Sequence, residues 1–143
     1  MSHELTLEMA ERILQAAKEK ARELKIQEDI AVVDDGGNLK AFARMDGAWL
    51  GSIDIAIRKA RTARYFDAET AKLGQMSQPG QPLYGIEFSN GGLITFGGGM
   101  PLKDRQGNII GAVGASGSTV DNDVKVAEAA VDYVHTARTA SAD

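Results

Sequence analysis

Leu7, Ala10, Leu14, Ala17, Ala21 and Leu24 recur at steps of three and four residues, while Glu8, Glu11, Lys18, Glu19 and Arg22 fall on other faces of the same turns. That spacing predicts an amphipathic helix. Thr6 stands where an N-cap is wanted, although Met9 takes the place a capping box reserves for Glu. From Asp29 the period shortens. Ile30–Val33 is an apolar run, Asp34–Asn38 carries turn residues, and Leu39–Met45 alternates, which together predict a β-hairpin. After Asp46-Gly47, the positions Ile53, Ala56, Ile57, Ala60 and Ala63 restore helical spacing over about 50–66.

Residues 67–92 form an ordered excursion in this reading, with a short helix near 68–73 and breaks at Pro79, Gly80 and Pro82. Leu93–Phe96 and Met100–Lys103 read as two short strands separated by Gly97-Gly98-Gly99. Ile109–Ser116 is a further strand rich in small residues, entered through Asp104-x-x-Gly107-Asn108. That turn repeats the D-x-x-G-N pattern of Asp34–Asn38, so similar local geometry is expected. Val120, Val124, Ala127, Val131 and Val134 mark the buried stripe of a last helix capped near Thr119 or Asp121, with fraying expected after Ala137. The order predicts an α+β fold in which a mostly antiparallel sheet of about five strands is flanked by helices. Nothing in the pattern marks a linker, so residues 1–143 are read as one domain.

Composition narrows the chemistry. The chain has 143 residues, 16 Lys and Arg against 20 Asp and Glu, and a net charge of −4. That sign argues against a global nucleic-acid-binding surface, so any anion site must be local. No apolar run approaches the ~20 residues of a membrane span. Without cysteine there is no disulfide, thiol nucleophile or thiolate metal site. The acidic, helical start is unlike a secretory signal, and the chain reads as cytoplasmic.

Within Ile57–Arg64, the cations Arg58, Lys59, Arg61 and Arg64 cannot all converge, since they occupy different faces of one helix. One or two of them suit a carboxylate, because Arg is a planar bidentate donor and Lys a point charge; a solvated helix face is the alternative. Arg44 and Asp46 lie where the hairpin gives way to the second helix, able to line a pocket or to form a turn-capping ion pair. The triple glycine lacks the context of a nucleotide-binding loop. It would allow a flat ligand, or simply a neighbouring strand, to approach the backbone. Ser116–Asp123 offers hydroxyls, carboxylates and helix-terminal amides, and Glu87 is a further candidate acid or base. His3 and His135 form no recognisable pair, and no metal site is expected.

Several stretches together resemble a known family: VDDGGNLKAFARMDGA (33–48), SIDIAIRKARTARYF (52–66), PLYGIEFSNGG (82–92), GGGMPL (97–102) and GNIIGAVGASG (107–117). The chain resembles the GlcG/HbpS-like haem-degrading domain family, which includes the C-terminal domain of PduO-type proteins. The resemblance implies a profilin-like sandwich, assembly into homo-oligomers, and a small-molecule ligand, haem in some relatives. It also leaves open an accessory enzyme of a catabolic pathway acting on a small hydroxy- or keto-acid. The positions it marks as a ligand pocket are Arg44, Asp46, Lys59, Thr62, Gly98, Gly99 and Ser116. Histidines that could hold haem iron, His3 and His135, lie outside the matching blocks.

Overall fold

The structure, a computed structural model, describes residues 4–140. In chain order the elements are α1 (Leu7–Glu23), β1 (Asp29–Asp34), β2 (Leu39–Arg44), α2 (Gly51–Phe66), α3 (Thr70–Met76), a 3-10 turn (Ile86–Phe88), β3 (Gly99–Lys103), β4 (Ile109–Ser116) and α4 (Val120–Ala140). The strands form one antiparallel sheet in the order β2-β1-β4-β3. Helix α2 covers one face, while α1 and α4 pack together on the other. The α+β fold expected from the pattern, and the sandwich that the resemblance implies, are therefore present.

Alternation along β1 divides the core. Ile30 and Val32 face α1 and α4, joining Ile13, Leu14, Leu102, Val113, Val126 and Val134. Ala31 and Val33 face α2, where they meet Ala56, Ala60, Ala63 and Ala112. The second layer is built from small side chains, and α2 consequently rides very close to the sheet. A Cβ on Gly114 would lie 2.1 Å from the Ala56 carbonyl oxygen, and one on Gly99 would lie 2.4 Å from that of Lys59. Those glycines are places where the helix backbone touches the strands.

The helix starts follow from local capping. The Thr6 hydroxyl accepts from the Met9 amide, and the Thr119 hydroxyl accepts from that of Asn122. Both D-x-x-G-N turns share one geometry. In each, one carboxylate oxygen, of Asp34 or Asp104, accepts two amides, and the glycine, Gly37 or Gly107, has positive φ.

One expectation changes. Among the described residues the sheet has four strands rather than about five, because Leu93–Phe96 does not join it. Its first two amides find partners in α2 and its own loop instead: the Ile94 amide donates to the Thr62 hydroxyl and the Leu93 amide to the Glu87 carbonyl, while Arg58 donates to the preceding Gly91 and Gly92 carbonyls. Those amides, being paired, need no partner on a sheet edge. Helix α4 is assigned through Ala140. His3 and the tail from residue 141 lie outside the described residues.

Candidate functional site

The polar interior is concentrated at one end of the sandwich. The start of β1, the end of β4, the middle and start of α2 and the start of α4 bring together Glu28, Asp29, Ser52, Lys59, Ser116 and Asp123, all buried. Burying a charge without partners is strongly unfavourable, so each contact here matters.

Lys59 is fully buried. Its Nζ donates to the Ala115 carbonyl at 2.8 Å and to Asp123 Oδ2 at 3.1 Å, while the Phe96 ring lies over it with 4.9 Å from Nζ to the ring centre. Burial pushes the Lys59 amine down from its ordinary value, and Asp123 opposes that shift. The other Asp123 oxygen accepts from the Ser118 amide at 3.1 Å, which fixes the carboxylate at the start of α4.

Glu28 completes the cluster in an unusual protonation state. As a carboxylate it has no hydrogen-bond donor on either buried oxygen. Burial, then the neighbouring Asp123 carboxylate, pushes its pKa up to about 9, which favours the neutral acid. Asp29, its neighbour in sequence, also has two buried oxygens without a partner, and burial raises it to about 6 against the opposing field of Arg44. Across the sheet Asp29 sits level with Ser116, whose hydroxyl bonds that of Ser52 at 3.0 Å. The arrangement can hold a proton inside the fold and ties three elements together through Lys59. Among the described residues no group of three His, Asp or Glu side chains is placed to hold a metal ion.

Of the residues marked from sequence, Lys59, Gly98, Gly99 and Ser116 meet here, with Thr62 one turn further along α2. Gly98 admits the lysine side chain: a Cβ there would lie 2.6 Å from Lys59 Nζ. Arg44 and Asp46 are elsewhere, lining a hollow of ≈ 550 Å³ between the end of α1 and the end of β2. Within the basic run, Arg58 pairs with Asp54, Arg64 pairs with Asp67, and Arg61 is exposed. Glu87 is half-buried, with one oxygen lacking a partner. Sequence reasoning missed Glu28, Asp29 and Phe96. The available signal was two acidic residues set directly against an apolar strand.

A larger cavity, ≈ 1080 Å³, opens beside edge strand β3, between the start of α3 and α4. Met100, Pro101, Ala68 and Val131 give it an apolar wall, His135 contributes an imidazole, and Lys72, Lys103 and Arg105 contribute cations. Asp67, Glu69, Asp104 and Asp132 supply the acidic part of the rim.

Residues 5–132 match the family described as Haem degrading protein HbpS-like. The chain belongs to this HbpS-like family. A 15.0 kDa protein of Citrobacter freundii, described as uncharacterized and encoded in the dhaT-dhaS intergenic region, is 41% identical over 129 residues, covering 90% of each chain. Protein GlcG of Escherichia coli K12 is 39% identical over 113 residues, 78% of this chain and 81% of that one. Among solved structures, the PduOC:heme complex superposes with a TM-score of 0.85 at 35% identity, covering 90% of this HbpS-like chain and 94% of the other.

Proposed function

We propose that this HbpS-like protein binds a small flat ligand bearing carboxylates, of which haem is the best candidate. The observation that carries the reading is the likeness of nearly the whole chain to a protein crystallised with haem. The donor set of the larger cavity fits such a ligand. If haem binds there, His135 would offer an imidazole to its iron, Met100 and Val131 would offer apolar contact, and Lys72, Lys103 and Arg105 would suit its propionates. The volume, ≈ 1080 Å³, lies just above the ~300–1,000 Å³ usual for ligand pockets. Bound haem would supply iron-centred redox and ligand-exchange chemistry. The part of the cavity residues would be to hold the ring against the apolar wall and pair its carboxylates with the lysines and arginine.

Titration with haem, followed at the Soret band, tests the reading. Saturable binding at one haem per chain is expected, with the band displaced and the affinity lowered in His135→Ala. Weak, multisite adsorption that His135→Ala leaves unchanged would refute it.

A further inference from the structure

The hollow between the end of α1 and the end of β2 carries a separate inference. Its wall runs from the last turns of α1 through Lys25, Ile26 and Gln27 to the end of β2, and α1 with its closing turn brings Lys18, Arg22 and Lys25 to it against the single carboxylate of Asp46. In a chain of net charge −4, this local excess of positive charge is opposite in sign to the whole. We propose that the hollow at the α1–β2 end is a binding site for a small organic dianion, a phosphate ester or a dicarboxylate of metabolite size.

Ordinary structural roles account for only part of the charge. Cations in the last turn of a helix complement its dipole, which explains Lys20 and Arg22. Lys20 is already paired with Glu23 and lies outside the lining. Lys25 lies beyond the helix, at the left-handed position of the closing turn, with φ 61°. The Ile26 amide reaches back to the Ala21 carbonyl and the Lys25 amide to that of Arg22, a terminator in which glycine is the usual residue at Lys25's place. Lys25 thus puts a long cationic side chain at a backbone position that favours glycine. Arg44, directly opposite Asp29 across the β1–β2 ladder, belongs to the face of the sheet that α2 covers and is not counted among the cations of the hollow. Lys18, Arg22 and Lys25 make no ion pair among the described residues.

The remaining lining narrows the ligand. Ile26, Ala43 and Met45 are partly buried and pack on the core, so the cations surround an apolar floor. Arginine offers two parallel donors to one oxyanion, lysine a point charge to a second, and Asp46 an acceptor for a hydroxyl or amide. A hollow of ≈ 550 Å³ admits a metabolite. The site is distinct from the haem cavity, with which it shares no lining residue.

The test is NMR titration of the full-length protein at low salt with glycerol 3-phosphate and with succinate, using acetate as a monovalent control. Saturable shifts confined to residues 18–27 and 43–46 are expected with at least one dianion, and whichever binds tighter identifies the head group. Loss of one charged hydrogen bond typically lowers affinity about tenfold, so Arg22→Ala and Lys25→Ala should each weaken binding by about that factor. Both substitutions are at exposed positions, and the haem titration should be unaffected by them. Shifts scattered equally over Lys40, Arg61 and Lys125, or equal binding by acetate and the two variants, would overturn the proposal. Failure of the haem titration alone would leave this result standing.

Discussion

Replacing Glu28 by glutamine removes a titrating group while keeping a neutral side chain beside Asp123. In the folded chain Glu28 is raised from 4.5 to about 9, chiefly by burial. Its folded form thus holds a proton that the unfolded chain gives up above pH 4.5. Stability contributed by this proton is fully present below the unfolded value and is lost as pH rises toward 9, because the native state binds more protons than the unfolded one. The slope is about 1.4 kcal/mol per pH unit for one proton. Asp29 acts in the same direction but only up to about 6, so measurements between pH 6.5 and 8.5 separate the two groups. Across that window the wild-type chain should lose about 3 kcal/mol more than Glu28→Gln, on the order of a third of a typical domain's stability. Urea unfolding at several pH values, with the slope against urea checked for constancy, reads this directly. Parallel stability profiles for the two proteins would show that Glu28 is already ionised in the fold, and the account of the buried cluster would be wrong. The carboxyl carbon shift of Glu28, followed by NMR, is an independent check.

Lys59→Met removes one side of the buried pair and leaves Asp123 without its nearest cation; a loss of about 3–5 kcal/mol is expected, and Lys59→Met with Asp123→Asn should recover part of it in a double-mutant cycle. Gly114→Ala places a methyl against the Ala56 carbonyl and should cost roughly 1–3 kcal/mol or more, whereas Gly51→Ala, with nothing within 4 Å, should be neutral or slightly stabilising in thermal unfolding. Trp49 and Phe88 are 65% and 87% exposed, and Leu50 and Tyr84 are also exposed, which fits an assembly of several copies. Light scattering should therefore give a multiple of the 15.2 kDa subunit at micromolar concentration, and a monomer mass would remove that proposal.

Periodicity was enough to place α1, the first hairpin, α2 and α4, because each has a face whose apolar spacing repeats often enough to be read without knowing what it packs against. The caps at Thr6 and Thr119 and the paired Asp34 and Asp104 turns were legible for the same reason: their hydrogen bonds close within a few residues. Family membership was legible too, since it rests on combined motifs. Long-range contacts decided the rest. Leu93–Phe96 has the residues of a strand, but Thr62 and Arg58, about thirty residues earlier, pair groups at and just before its start. The triple glycine looked equally suited to a ligand and to a bend; only the packed helix shows Lys59 occupying the space beside Gly98 and Gly99. Lys59 was one cation in a run of four, and nothing local separates a buried lysine from solvated arginines. What separates them is the depth at which α2 sits on its alanine and glycine bed, which draws one side chain to the interior end of the sheet, where Asp123 and Glu28 arrive from elements 64 and 31 residues away.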